Sequence, residues 1–158
     1  RGVVSGSWLL HFVETLSDQT APGWNPNDLD IYLHEDYLSI MISFLLTEGY
    51  IPTDALDRPQ TPSLSQQSCI SRVLEFTASK GGQAREIDIV CSFAESPFEI
   101  ILGFWGTHVM NAMTSCELTI LYPDLTLARK GYQMVKRKGR AMRTTRRKYA
   151  ERGYDIHS

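Results

Sequence analysis

Two carboxylates two residues apart, Asp28 and Asp30, stand in the string Asn27-Asp28-Leu29-Asp30-Ile31-Tyr32-Leu33. Residues i and i+2 of a β-strand point to the same face, so a strand here sends both acids one way and Leu29 and Ile31 the other. Side-by-side carboxylates repel and raise each other's pKa. A chain tolerates that at a solvated strand end, or where a cation neutralises both. Magnesium is held by one or two carboxylates together with substrate phosphates, which makes the pair a candidate metal site. The same alternation also suits an edge strand with a polar face. A third acid, Asp88, lies in a second alternating run, Glu86-Ile87-Asp88-Ile89-Val90. It joins the pair if the two strands are neighbours; alone it reads as an outward, solvated residue.

Upstream, Val3-Val4-Ser5-Gly6-Ser7 runs into the amphipathic Trp8-Leu9-Leu10-His11-Phe12-Val13. This reads as a strand, a Gly-Ser turn and a helix. Glycine lets the backbone come close to a ligand, and the first amides of a helix are unpaired and favour an anion, so Gly6 and Ser7 are candidate phosphate-binding residues. The plainer reading is that Ser5 or Ser7 caps the helix. The cysteines Cys69, Cys91 and Cys116 are widely spaced and odd in number. They show no zinc or redox spacing and are expected to be reduced, mostly buried thiols. His108 is the one tempting base for a nucleophilic cysteine, and nothing in the sequence brings it near one.

Gly-Ser at a strand-to-helix turn, Asp-x-Asp on the next strand and a third acid on a later strand resemble the nucleotidyltransferase superfamily, the fold of DNA polymerase β. Gly6, Ser7, Asp28, Asp30 and Asp88 match that pattern. Over roughly residues 2 to 155 the chain is also similar to uncharacterised nucleotidyltransferase-like proteins found mainly in basidiomycete fungi, through Ser5-Gly6-Ser7, the string Asp28 to Tyr32, and Val109-Met110-Asn111. The resemblance implies transfer of a nucleoside monophosphate from a nucleoside triphosphate to an unidentified hydroxyl acceptor by a two-metal mechanism, with Mg2+ or Mn2+ as cofactor. It implies that Asp28, Asp30 and Asp88 hold the metals, that Asp88 helps deprotonate the acceptor, and that Gly6 and Ser7 hold the triphosphate. The chain departs from the superfamily in its long Ser17–Asn27 loop. Loop closure grows costlier only slowly with length, so the strand can still return. That loop favours the alternative reading, an inactive module of the same fold that binds nucleotide or RNA. A third reading is a structural domain whose acidic body meets a basic partner.

The elements that must position these residues follow from patterning. Strands are expected at Gly2–Ser5, Asp28–Leu33, Cys69–Ser79 and Arg85–Phe93, the last two joined by the hairpin turn Lys80-Gly81-Gly82-Gln83. Helices are expected at Trp8–Leu16, from Glu35-Asp36 to Gly49, from Ser96-Pro97 onward with Glu99 completing a capping box, and at His108–Glu117. Leu38, Met41, Ile42, Leu45 and Leu46 form the core face of the second helix, and Ile100, Ile101, Leu102, Phe104 and Trp105 are further core candidates. Ile51–Gln67, with three prolines, reads as a loop, and Tyr122-Pro123-Asp124 as a break. The expected class is α/β (α+β): a small mixed sheet flanked by helices, with a helical basic C-terminal segment.

Length and composition bound the rest. A chain of 158 residues buries a real core, and no apolar run approaches a membrane span. The expectation is a nucleotidyltransferase-like domain over 1–124 with a basic extension, 125–158, packed on it, in a protein that is intracellular, cytoplasmic or nuclear. Arg1 in place of an initiator Met suggests a fragment lacking an N-terminal helix. Charge is sharply divided: residues 1–124 hold 5 basic and 16 acidic side chains, residues 125–158 hold 11 and 2. Ala128, Tyr132, Val135, Met142 and Tyr149 form a narrow helical stripe in the basic segment, weakened by Gly131 and Gly139. Arg143, Arg146, Arg147 and Lys148 lie off it. They read either as nucleic acid or nucleotide phosphate contacts or as a solvated face complementing the acidic body.

Overall fold

A computed structural model describes residues 2–17, 22–53, 69–134 and 139–158. Strand β1 (Gly2–Ser5) runs directly into helix α1 (Gly6–Ser17), and β2 (Asp28–His34) follows. A 3-10 turn, Glu35–Tyr37, leads into α2 (Leu38–Thr47). Then come β3 (Ile51–Pro52), β4 (Ile70–Lys80), β5 (Gln83–Ser92), α3 (Phe98–Leu102), β6 (Asn111–Met113) and β7 (Leu118–Ile120). The basic segment forms α4 (Pro123–Leu127), β8 (Lys130–Tyr132), α5 (Arg140–Glu151) and β9 (Asp155–His157).

The class is α+β, as the patterning requires: a seven-stranded sheet in the order β3-β4-β5-β2-β1-β6-β7, with helices against it. Within this sheet β2 and β5 pair in parallel and the other neighbours are antiparallel, while β8 and β9 form a separate parallel pair. Strands β4 and β5 form the expected hairpin, and Gly81 and Gly82 both take positive φ, 61° and 76°, as a two-residue mirror-image turn demands.

Period-2 alternation divides the core between the two faces of the sheet. On one face Val3, Tyr32 and Val90 meet Leu10 of α1, Ile100 and Ile101 of α3, and Tyr149, Tyr154 and Ile156 from the basic segment. On the other, Leu33, Phe76, Ile87 and Ile89 meet Leu38 and Leu45 of α2. Among the described residues no helix is long and apolar enough to cross a membrane.

Several local expectations are corrected. His108–Glu117 is not a helix. Thr107–Val109 makes a single 3-10 turn and Asn111–Ile120 a hairpin, because the Thr114 hydroxyl accepts from the Cys116 and Glu117 amides and closes a turn there. Pro123 starts α4, at a position where a missing N–H costs nothing. Ile51–Pro52 pairs with β4, while residues 54–68 of that proposed loop lie outside the described residues. Ser96 accepts from the Phe98 amide at 3.3 Å, but Pro97 is the residue at the cap position. Leu46 and Leu102 are exposed rather than buried, and so is Cys116. The basic stripe does not exist as one surface: Ala128 and Tyr132 are exposed, Tyr149 is buried, and Val135 lies outside the described residues.

Candidate metal centre

The parallel register of β2 on β5 sets Asp30 directly beside Asp88, and the antiparallel registers extend that row to Ser5 on β1 and Glu75 on β4. Residues in one register row share a face, so the row is Ser5, Asp30, Asp88, Glu75. Asp28 lies two residues from Asp30 on the same face, beside Glu86. One oxygen from each of Asp28, Asp30 and Asp88 lies within 4.8 Å of the other two. The two alternating runs thus bring together the three acids chosen from the sequence.

The cluster is electrostatically strained. Burial, then the charges of Asp28 and Asp88, push the Asp30 carboxyl up to about 7, against a smaller lowering by Lys148. Burial, then Asp28, Glu75 and Glu86, push Asp88 up to about 6. Tyr32, next on the same face, is raised well above its ordinary value by burial and by the acids. The donor set is all carboxylate oxygen, hard and anionic, which suits Mg2+ or Mn2+ and not a soft metal.

The other wall is the start of α1. Gly6 has φ 74°, the left-handed turn that lets β1 pass into the helix without a linker. A Cβ at Gly6 would overlap the Asp30 carboxylate, so the position needs glycine for space as well as for backbone angle. The late segment holds this corner: the Ser5 hydroxyl donates to the Asn111 backbone carbonyl, and the Asn111 side-chain Nδ2 donates to the His108 carbonyl at 2.8 Å. Ser7 is buried, and its Oγ has no hydrogen-bond partner among the described residues.

Gly6, Ser7, Asp28 and Asp30 line an open pocket of about 250 Å³ together with Lys148 and Trp105. The pocket joins the first turn of a helix, a lysine and acids: a place for an anionic group at one end and cations at the other. The four basic residues singled out in the sequence part company here. Lys148 lines the pocket. Arg146 is turned inward, donating to the Ile156 carbonyl at 2.8 Å and to Gln133 Oε1 at 3.4 Å. Arg147 pairs with Glu151 at 3.5 Å on the exposed side of α5, and Arg143 is exposed.

Sequence reasoning missed Trp105, Val109 and Tyr149 as pocket walls, and it gave Lys148 only a nucleic acid role. Nothing local marks the aromatic walls, because α5 reaches the acids only through long-range packing. Of the long loop after α1, residues 22–27 are described, and there Trp24 meets His11 edge-on at 5.0 Å between ring centroids and carries the Arg152 guanidinium 3.9 Å above its ring. In comparison with known proteins, no family model and no curated protein matches this chain.

Proposed function

We propose that the chain is a nucleotidyltransferase that moves a nucleoside monophosphate from a nucleoside triphosphate to a hydroxyl. The single observation that carries this reading is the cluster of Asp28, Asp30 and Asp88 against the N-terminus of α1. Similarity to the nucleotidyltransferase superfamily in Gly6-Ser7, Asp-x-Asp and the later acid gives the same assignment. Bound Mg2+ or Mn2+ at the three acids would neutralise charge on the attacking oxygen, the α-phosphate and the leaving pyrophosphate. The chain's own part is positioning and charge. The first amides of α1, the spare Ser7 hydroxyl and Lys148 hold the triphosphate. Asp88, beside the other two acids, takes the acceptor hydroxyl's proton. The acceptor oxygen bonds to the α-phosphorus as the bond to the bridging oxygen breaks, and pyrophosphate leaves in line.

Thermal unfolding with Mg2+ and ATP, followed by assay of pyrophosphate release, tests this. Wild type should gain stability from Mg2+ with ATP and release pyrophosphate. Asp30→Asn and Asp88→Asn should lose the gain and at least about 100-fold of the release, the loss expected on removing a group that stabilises transition-state charge. Linked stabilisation without any release, across a range of acceptors, would leave a nucleotide-binding module in place of an enzyme.

A further inference from the structure

We infer that the solvent face of α2 is the contact surface of a homodimer, on which a second copy of this chain packs through the same helix; the inference is independent of how the acids are read. A surface helix is apolar on one stripe and polar on the other, and a helix that is apolar all round is a buried one. Helix α2 carries no charged side chain. Its inner side packs on the sheet: Leu38 and Leu45 are buried, and Met41 and Ile42 lie against the same core. Its outer side is apolar as well. Tyr37, Ile40 and Phe44, at the i, i+3, i+7 spacing of a helix seam, are 46 %, 67 % and 57 % exposed, and Leu46 is 51 % exposed. Half of an aromatic side chain is about 100 Å², so the four together expose about 400 Å² of apolar surface. One partner's share of a standard interface is about 800 Å², of which about 60 % is apolar, or close to about 500 Å². The face is therefore of the size a stable dimer needs, and more than singly scattered apolar residues make up.

Shape and charge both favour a second copy as the occupant. Beside the bulky stripe runs a row of small residues, Ser39, Ser43 and Thr47, one helical turn apart. The Ser43 and Thr47 hydroxyls donate to the Ser39 and Ser43 carbonyls, each at 2.9 Å, so they turn onto the helix's own backbone and leave a shallow groove. A ridge flanked by a groove is self-complementary. With two α2 helices side by side and parallel about a two-fold axis, the ridge of each lies in the groove of the other. The acids at the ends of the face are largely met within the chain: Glu35 pairs with Arg72 at 2.6 Å and Glu48 with Lys80 at 3.5 Å, which leaves Asp36 at the rim. Two like copies therefore meet little mutual repulsion, and a strongly basic partner has little to hold. The same pairs occupy Arg72 and Lys80, the bases that an anionic membrane would need. Helix α2 covers the sheet face opposite the acids, since Ile87 and Ile89, which pack under it, flank Asp88 on β5. The dimer thus leaves both acid clusters open.

Sedimentation equilibrium of the full chain, from micromolar to near-millimolar concentration, tests the inference. The average mass should rise from that of one chain toward that of two. Phe44→Glu and Ile40→Glu each change a side chain that is already more than half exposed, so both should keep their fold by circular dichroism. Each should weaken the dimer at least about 30-fold, the loss expected on removing a central interface anchor. Ser43→Trp fills the groove and should weaken the dimer as much, whereas an added indole strengthens any unspecific apolar adhesion. Leu16→Glu, on α1 and 64 % exposed, should leave the dimer unchanged. The mass of one chain at every concentration would overturn the inference, as would a dimer that survives both glutamate variants or tightens in Ser43→Trp. So would a chain that stays monomeric and floats with phosphatidylcholine–phosphatidylserine vesicles as wild type but not as Phe44→Glu.

Discussion

A carboxylate lies at each end of helix α1, Glu14 buried near its last turn and Asp30 half-buried against Gly6 at its first, and the two are treated in opposite ways. Near its C-terminal end, Glu14 is 4 % exposed. It accepts a hydrogen bond from the Tyr154 hydroxyl at 2.6 Å, and the Arg129 guanidinium lies 3.2 Å from its other oxygen as an ion pair. Burial and the bond to Glu14 raise the Tyr154 pKa. At the N-terminal end, Asp30 faces two more carboxylates, and burial and their charges raise its pKa to about 7 against a smaller lowering by Lys148. A buried charge that the chain meets with its own groups is structural. A buried charge surrounded by like charge is tolerated when it is protonated or when a cation is brought to it.

Glu14→Ala is the sharpest way to break this contrast. It strands the buried Tyr154 hydroxyl, while Arg129, 41 % exposed, turns to solvent, and a buried polar group left without its charged partner costs up to about 3 kcal/mol. The unfolding free energy from denaturant titration should fall by that amount equally with and without Mg2+. A Mg2+-dependent loss would mean that the two ends of α1 are one coupled network.

The acid cluster should respond to pH with the opposite sign from an ordinary salt-bridged carboxylate. Asp30 and Asp88 have folded pKa values near 7 and 6, above their unfolded value of 3.8. Their contribution is therefore fully present below about pH 4 and is lost as pH rises through 6 and 7. Without metal, stability should drop by on the order of 3 kcal/mol between pH 5 and pH 8, since each tenfold change in a group's proton affinity corresponds to about 1.4 kcal/mol. Asp30→Asn should flatten most of that drop and be the more stable protein at pH 8. Mg2+ should stabilise wild type more at pH 8 than at pH 5, because protons compete for the ligands. A wild-type curve that rises from pH 5 to pH 8 without metal would mean that the acids are not packed together.

How much of this is legible in the sequence differs by element. Asp28 and Asp30 share a face because strands have period two, and Asp88 joins them because Ile87 and Ile89 fix the parity of β5 in the same way; both facts are local. The parallel register that sets Asp30 against Asp88 is not local, and only the order of the elements hints at it. The region after Val109 reads wrongly as a helix because its apolar spacing fits both a helix and a hairpin. Side-chain turn bonds from Thr114 and pairing of Met113 with Val4 decide the matter. Nothing in the sequence singles out Glu14, since its partners Arg129 and Tyr154 lie more than a hundred residues away.

Gly6→Ala tests the corner that joins the two ends. The substitution strains a φ of 74° and drives a Cβ into Asp30. It should cost about 2 kcal/mol and also remove Mg2+-linked stabilisation. Gly49→Ala is the control: its φ is 81°, but a Cβ there meets nothing within 4 Å. It should cost about 1 kcal/mol for the backbone alone and leave the Mg2+ effect intact. Equal costs and equal Mg2+ responses for the two variants would mean that Gly6 does not press on Asp30.

The smallest effects belong to α5, where neighbouring basic residues divide as the two ends of α1 do. Arg146 bonds to the Ile156 carbonyl at 2.8 Å in a half-buried setting. Its loss as Ala should cost about 1–2 kcal/mol, because a carbonyl of β9 loses a charged donor. Arg147 makes only an exposed i,i+4 pair with Glu151 at 3.5 Å, and Arg147→Ala should cost under about 0.5 kcal/mol. Lys148→Ala should move stability as little as Arg147→Ala while weakening the gain from Mg2+ with ATP, since Lys148 is the cation of the pocket beside Asp30. The three variants, measured by urea midpoint and by ATP-linked shift, separate a residue that holds the fold from one that serves the pocket and one that faces solvent. An ATP-linked shift lost in Arg147→Ala and kept in Lys148→Ala would move the anion site to the outer face of α5, where Arg143 and Arg147 are exposed together. Single-stranded RNA is then the ligand to test. Each of those arginines that touches a phosphate contributes about 0.7 to the slope of log affinity on log salt, so Arg143→Ala with Arg147→Ala should flatten it by about 1.4.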